Sequence, residues 1–430
     1  MATHEHKFNG RRWVCLTSIE SDDDRHLFEN GRILYDQLFT EEIKEDYDNY
    51  AEYIADSVKA RRQPSRAKLI DTVSYGFEGA EMKGFLAFTW YPKLYLVFIS
   101  YLGFRHTRSR RFFDTVPEVI LAERNIIGLT GIPIDAAIFE MERFDPNQLS
   151  LGAKGLALTK FQRTALRRAK LTRRYQESGV WLIPWINYLQ PPLAKGRRPL
   201  EMHLMYLPLD PLRRDNPSTF KRDDIRRLVE FTYENLYLDS YRSTEPRKDW
   251  PYWEALMKQY VSETTKYVPK GKIELDKISV DRTLETTFIS YAGDDEDKAK
   301  VIEWRLKTRG SPVIIWRSDS LCEGGKTISN AVQEWMKKAS NFVFLITSKS
   351  FLARGQRDEI KLLLEMEPSR RRVIYQIITN IEHAQLEEMG FRVSGPEGKI
   401  YHRFKNDDDF VCAVDNCLAS IIEARRITSE

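Results

Sequence analysis

Polar and aromatic residues that could bind a ligand lie at the ends of apolar runs in the last third of this 430-residue sequence. Ser290 and Tyr291 end one run and precede Asp294, whereas Trp316 ends the next run and precedes Asp319. An aromatic ring can stack on a planar ligand, and hydroxyl or carboxylate oxygens can bond to sugar hydroxyl groups. Packing of both rings in the core and simple hydration of the acidic side chains are the alternatives.

A glycine-containing loop and a later glutamate complete this set of candidates. Ser318, Glu323 and Gly324 belong to the segment that leads from the second apolar run, and glycine gives such a loop backbone freedom. Glu359 follows Arg357-Asp358 and precedes an apolar residue. Taken alone, Glu359 also fits a solvated carboxylate in the first turn of a helix, where acidic residues are common.

Five short apolar runs position these residues, and four of them are almost continuously apolar, which predicts strands buried on both faces of a parallel sheet. The runs are 287–291, 312–316, 341–347, 373–378 and 399–404. Helical spacing of apolar residues separates them, as in Ala299, Ile302 and Leu306. Alternating strands and helices predict an α/β unit with a five-stranded, flavodoxin-like parallel sheet, whose ligands bind at the carboxyl ends of the strands.

Three motifs of this unit resemble, in order, the first strand, the BB loop and the glutamate-containing segment of TIR domains. They are Phe288-Ile289-Ser290-Tyr291, Asp319-Ser-Leu-Cys-Glu-Gly-Gly-Lys326 and Arg357-Asp358-Glu359-Ile360. Gly355 and Gln356 stand where TIR domains often carry an aromatic residue before the glutamate. The resemblance points to the branch of the family that cleaves NAD+.

That branch implies that Glu359 is the catalytic residue and that nicotinamide is released from NAD+, with no metal and no further cofactor required. The pyridinium leaving group departs neutral and needs no acid, while a carboxylate can stabilise the oxocarbenium character that develops on the ribose. The residues then expected to contact NAD+ are Ser290, Tyr291, Asp294, Trp316, Ser318, Asp319, Glu323 and Gly324.

The chain is long enough for two or three folding units, and a charged Pro- and Gly-containing stretch at 267–282 marks a boundary. We predict an α+β domain at 1–215, a helical connector and linker at 216–280 and the TIR domain at 281–430. Residues 281–430 carry 23 basic and 24 acidic side chains, against 44 and 39 upstream, so neither part is strongly charged. No nucleic acid or membrane partner is expected.

The succession of elements in residues 15–210 resembles the GNAT acyltransferase fold. Paired strands are predicted at 82–90 and 94–101, a helix from about 110 to 124, and further strands at 134–142, 180–188 and 201–207. GNAT proteins bind coenzyme A pyrophosphate on a loop of the form Arg/Gln-x-x-Gly-x-Gly/Ala. Arginines replace both glycines here, which makes coenzyme A doubtful and leaves a basic candidate ligand loop of Arg105, Arg108, Arg110 and Arg111.

Four cysteines without paired metal-ligand spacing, and the absence of an apolar N-terminal segment, predict a cytoplasmic protein. We therefore predict an NAD+ glycohydrolase effector of the prokaryotic immune or antiviral type. Self-association of the TIR domains would activate it, and the N-terminal domain would sense an unknown trigger. The alternatives are a non-enzymatic TIR adaptor and an acyltransferase that carries a TIR interaction module.

Overall fold

The computed structural model describes residues 3–39, 46–105, 113–131, 134–143, 145–147, 160–192, 195–213, 219–277, 285–315, 328–365, 373–379, 381–388 and 399–429. Two sheets organise these residues. The N-terminal sheet has nine strands and the C-terminal sheet has five.

The N-terminal sheet is mixed. Its strands are β1 Thr3–Phe8, β2 Arg11–Leu16, β3 Ile70–Glu78, β4 Glu81–Tyr91, β5 Leu96–Phe104, β6 Ala136–Glu142, β7 Trp181–Leu182, β8 Leu189–Gln190 and β9 Leu200–Pro208. The order is β1-β2-β3-β4-β5-β6-β9-β7, with β8 paired to β9. Only β5 and β6 run parallel, and every other pair is antiparallel.

Helices cover both faces of this sheet. They are α1 Asp22–Leu38, α2 Asn49–Arg62, α3 Val116–Ile126 and α4 Lys160–Glu177. Phe28, Tyr35 and Ile54 of α1 and α2 pack on one face, whereas Val119 and Ile120 of α3 pack on the other. The side chain of Ser21 accepts a hydrogen bond from the backbone of Asp24 and begins α1 by satisfying an otherwise unpaired amide.

A helical segment connects the two sheets. It contains α5 Arg222–Phe231, a π-helical stretch Thr232–Leu238, α6 Asp239–Thr244 and α7 Trp250–Thr265. Trp253 is fully buried and stacks on Tyr241, with 3.8 Å between ring centroids. The apolar side chains of these helices pack against β6 and β9. They belong to the same hydrophobic core as one face of the C-terminal sheet.

The C-terminal sheet is entirely parallel. Its strands are β10 Thr287–Ser290, β11 Val313–Ile315, β12 Asn341–Ile346, β13 Val373–Ile378 and β14 Lys399–Arg403, in the order β11-β10-β12-β13-β14. The helices are α8 Glu296–Thr308, α9 Ile328–Lys338, α10 Arg354–Glu365, α11 His383–Glu388 and α12 Asp407–Ser429. The apolar residues of α8 and α12 pack on one face and those of α9 and α10 on the other.

The predicted α/β fold class is confirmed, and each of the five predicted C-terminal strands agrees with the structure to within one residue. One prediction in the N-terminal part was wrong. The strand expected at 180–188 is reduced to the two-residue strands β7 and β8, because Pro184 lacks an amide proton and Trp185 has a left-handed φ of 64°. The helix expected from about 110 to 124 corresponds to α3 Val116–Ile126, which has Pro117 in its first turn, and its predicted start lies outside the described residues.

Arg305 of α8 ties the C-terminal sheet to the rest of the chain. Its guanidinium is almost fully buried, stacks on Trp185, and contacts Asp276 at 3.1 Å and Asp415 at 2.7 Å. Asp276 in turn pairs through its backbone with Leu182 and through its carboxylate with Arg309 at 2.9 Å. One side chain thus joins α8, α12, the linker and the N-terminal part.

A second tie lies at the edge strand β11. The side-chain amide of Asn147 donates to the carbonyl oxygen of Val313 and accepts from its amide nitrogen, both at 2.6 Å. Nearby, Lys307 of α8 contacts Asp145 at 3.5 Å. Within the described residues, no helix is long and apolar enough to cross a membrane.

We expect Arg305→Met to lower the free energy of unfolding by about 2 kcal/mol. This is less than the ~3–5 kcal/mol typical of a broken buried ion pair, because Arg309 still contacts Asp276. Urea unfolding followed by tryptophan fluorescence measures the change. The control is Lys300→Met, which removes an exposed pair with Glu296 and should cost under about 0.5 kcal/mol. Equal unfolding midpoints for the two variants would contradict the role assigned to Arg305.

Candidate active site

Glu359 and Ser290 form the centre of the candidate site. Ser290 is the last residue of β10 and is buried, with 1% of its surface exposed. Its hydroxyl donates a hydrogen bond to Glu359 Oε2 at 2.5 Å. Glu359 lies in the second turn of α10 and is half-buried. The carboxylate is therefore held on its inner side and still reachable from solvent, unlike the fully hydrated side chain that the sequence left as an alternative.

The position of α10 follows from its apolar face and from one polar side chain. Ile360 and Leu363 pack into the core on this face of the C-terminal sheet. Gln356, one turn before Glu359, is buried and donates from Nε2 to the carbonyl oxygen of Leu345 in β12 at 2.9 Å. This bond fixes the helix against the sheet at the place where TIR domains often carry an aromatic residue, so Gln356 is a positioning residue.

The environment of Glu359 favours its protonated form. Burial raises the pKa of Glu359 from 4.5 to about 7, the hydrogen bond from Ser290 opposes that rise, and the negative charge of Asp358 adds to it. The protonated form is therefore far more accessible at neutral pH than it is for a solvent-exposed glutamate. A cation brought beside it would favour the carboxylate.

A second polar group lies beyond the carboxyl ends of β10 and β12. Asp295 is buried, and its carboxylate accepts a hydrogen bond from the hydroxyl of Thr347 and contacts Lys349 at 3.5 Å. Lys349 also donates to the backbone oxygen of Asp294 at 2.8 Å. The side chain of Asp294, which the sequence favoured, is exposed. The sequence marked the acidic loop but not which acid turns inward.

Tyr291 is placed on the other face of the sheet from Glu359. It is buried and packs in the core that contains Ile289, whereas Phe288 packs in the core that contains Ile360 of α10. Alternation along the strand explains the separation, since successive side chains point to opposite faces. The structure thus brings Ser290 to Glu359 and places Tyr291 in the core.

The other five residues predicted to contact NAD+ all lie outside the described residues. They are Trp316, Ser318, Asp319, Glu323 and Gly324.

The N-terminal candidate loop is described only at its start. Arg105 is exposed, and its backbone amide donates to the carbonyl oxygen of Lys83 at 2.7 Å. Arg108, Arg110 and Arg111 lie outside the described residues. A ligand on this loop stays a prediction.

Chemically, the pair of Glu359 and Ser290 offers one carboxylate at the carboxyl ends of parallel strands, where open α/β sheets bind ligands. It can stabilise a positive charge that develops on a ligand, or accept hydrogen bonds from sugar hydroxyl groups.

Comparison with protein-family models assigns the C-terminal part. Residues 287–410 match the model described as "TIR domain". The match includes β10, α10 and the pair of Ser290 and Glu359. No curated protein matches the chain.

Comparison with solved structures returns several acetyltransferases among its matches. A putative ribosomal-protein-serine acetyltransferase from Vibrio cholerae aligns at 8% identity and a TM-score of 0.28, covering 48% of this chain and 97% of its own. The aminoglycoside 6'-N-acetyltransferase from Enterococcus faecium aligns at 12% identity and a TM-score of 0.26, covering 44% of this chain and 95% of its own. The GCN5 histone acetyltransferase domain from Tetrahymena aligns at 12% identity and a TM-score of 0.25, covering 48% of this chain and 96% of its own. TM-scores of this size support no inference about activity.

We expect Glu359→Gln to stabilise the protein at high pH. Because the folded-state pKa of Glu359 is raised, folding stability falls as pH rises from 4.5 to about 7, and the penalty is fully present above that range. The neutral amide avoids a penalty of at most about 3 kcal/mol. Thermal unfolding at pH 8.5 and pH 4.5 tests this. The melting temperature of the variant should exceed that of the wild type only at pH 8.5, and an equal difference at both pH values would contradict it.

Proposed function

We propose that the chain is an NAD+ glycohydrolase whose catalytic residue is Glu359. The observation that carries the proposal is the half-buried carboxylate bonded to Ser290 inside a region that matches the TIR family. The products are nicotinamide and ADP-ribose in linear or cyclised form. The proposed context is antiviral or immune signalling in the cytoplasm.

The reaction places a limited demand on the protein. The bond between the nicotinamide nitrogen and the ribose carbon breaks, the bonding electrons leave with nicotinamide, and the ring becomes neutral. Positive charge then develops on the ribose. Water or an internal nucleophile forms the new bond at that carbon, and a proton is released to the solvent. Ionised Glu359 stabilises this charge or orients the ribose hydroxyl groups, so one carboxylate is enough.

Ser290 holds the carboxylate for this task. Its hydroxyl bonds to Oε2 and leaves Oε1 of Glu359 for the substrate. The hydrogen bond also opposes the rise in the pKa of Glu359 that burial causes. We therefore assign Ser290 a positioning role. Contacts of NAD+ with Asp294, Trp316, Ser318, Asp319, Glu323 and Gly324 complete the proposal.

Self-association of the TIR-matching region is proposed to complete the active site, with the N-terminal part sensing the trigger. Arg305, bonded to Asp276 and Asp415, offers a route from the N-terminal part to α8 and α12. A trigger that changes this contact would alter how two TIR-matching regions meet. Neither a metal nor a further cofactor is required for the reaction.

Glu359→Gln should reduce nicotinamide release by about 10²- to 10³-fold, as expected for the loss of one transition-state-stabilising group. The measurement is NAD+ consumption by the full-length chain over a range of concentrations, with a crowding agent to promote assembly. The control is Asp358→Asn, which removes the neighbouring exposed carboxylate and should keep the activity. Activation by self-association predicts a rate that rises more steeply than the enzyme concentration.

Two outcomes would count against the enzyme. Equal activity of wild type and Glu359→Gln would remove Glu359 from the mechanism. If the wild type consumes no NAD+ at any concentration, a non-enzymatic adaptor is favoured, in which changes at Glu323 or Gly324 abolish function and Glu359→Gln does not. Transfer of acyl groups from coenzyme A without NAD+ cleavage would instead favour the acyltransferase.

The pH dependence gives a further prediction. Because the ionised carboxylate is the active form and the pKa of Glu359 is about 7, kcat/KM should rise with pH and level off above that value. Ser290→Ala removes a hydrogen bond that lowers this pKa, so the midpoint of its profile should move to higher pH. An unchanged midpoint in Ser290→Ala would show that another group governs the profile.

A further inference from the structure

A buried cluster of histidine, cysteine and glutamate lies under the first hairpin of the chain, far from the candidate active site in sequence. His4 of β1 and Cys15 of β2 are direct cross-strand partners, so their side chains share one face of the sheet. His6, two residues along β1, lies on the same face. Glu123 of α3 packs against this face and completes the cluster.

The donor atoms of His6, Cys15 and Glu123 converge, and His4 contacts Glu123. His6 Nε2 lies 2.7 Å and His4 Nδ1 3.0 Å from Glu123 Oε1. The donor atoms of His6, Cys15 and Glu123 all lie within 4.8 Å of one another. Cys15 and Glu123 are fully buried and His6 nearly so, whereas 19% of the His4 side chain is exposed. His4 therefore marks the side from which solvent reaches the cluster.

We propose that His4, His6, Cys15 and Glu123 bind one zinc ion. Two imidazole nitrogens, one thiolate and one carboxylate are donors that zinc accepts in a four-coordinate tetrahedral site. Hard cations such as magnesium and calcium prefer all-oxygen sites, and this donor set disfavours them. Tetrahedral zinc places its donors about 3.4 Å apart, so His6, Cys15 and Glu123 need only small side-chain movements, and His4, which contacts Glu123, would turn toward the ion as the fourth ligand.

The charges around the cluster are consistent with a divalent ion. Zinc would displace the thiol proton of Cys15, and the thiolate and the Glu123 carboxylate together would balance its charge. Arg61 lies 3.7 Å from Glu123 Oε2 and adds one positive charge. The half-buried carboxyl group of Asp71, which interacts electrostatically with Arg61, supplies a compensating negative charge when ionised.

The same residues form a closed network without metal. Glu123 then accepts hydrogen bonds from the histidines and faces Arg61, while the hydroxyl of Ser74 donates to Cys15 Sγ at 2.9 Å. The metal-free chain can therefore fold, and zinc would add a cross-link to it. This cross-link would join β1, which pairs only with β2 along the sheet, to helix α3.

Metal content tests the proposal directly. The full-length chain is prepared without a histidine tag, incubated with zinc sulfate and desalted. Its zinc content is then measured by inductively coupled plasma mass spectrometry. We expect about one zinc ion per wild-type chain and almost none in His6→Gln or Cys15→Ser. His203→Gln and Cys417→Ser change a buried histidine and a buried cysteine elsewhere and should retain the ion. A wild type without zinc, or equal zinc in His6→Gln, would overturn the proposal.

Cobalt substitution provides a readout that does not depend on stability. Co²⁺ bound through Cys15 should give a thiolate-to-metal absorption band in the near ultraviolet that Cys15→Ser lacks. Glutamine at position 6 can still donate to Glu123, so circular dichroism should report an intact fold for His6→Gln. Zinc should raise the melting temperature of the wild type and leave that of His6→Gln unchanged. Cobalt binding without a thiolate band would overturn the proposed ligand set.

Discussion

The hydrogen bond between Ser290 and Glu359 is the interaction on which the candidate site depends. It joins the end of the first C-terminal strand to a helix that follows the third, and the parallel register of the sheet is what brings these two segments together. Burial of the carboxylate is unfavourable by itself and is sustained by the packing of Ile360 and by the bond of Gln356 to Leu345. Glu359, the residue proposed to be catalytic, thus lowers the folding stability when it is ionised.

The C-terminal sheet is not an isolated module in this chain. Its core is continuous with the connector helices, and Arg305 makes ionic contacts with two further segments, at Asp276 and Asp415. A buried guanidinium is costly to leave unpaired, so rearrangement of the linker near Asp276 would be felt directly in α8. The energetic link between the N-terminal part and the proposed catalytic part therefore resides in a few charged side chains and a shared apolar core.

The C-terminal sheet could be predicted from sequence because buried parallel strands are continuous apolar runs between helical segments. Glu359 was identified only through its motif, and its half-buried state depends on the hydroxyl of a strand 69 residues earlier. Local pattern could not distinguish inward-facing Asp295 from exposed Asp294. In the N-terminal part, a left-handed residue at Trp185 broke a segment whose composition was that of a strand. The cluster around Glu123 has no sequence signature, since its ligands come from separate elements.

Asn147 gives the edge of the C-terminal sheet a property that its strands alone would lack. An edge strand exposes unpaired backbone groups, which invite a strand of another chain to add to the sheet. At Val313 both groups are already occupied by one side-chain amide from the N-terminal part. Asn147 thus blocks strand addition at this residue of β11. A strand of another molecule could pair at Val313 only after Asn147 gave up both of these bonds.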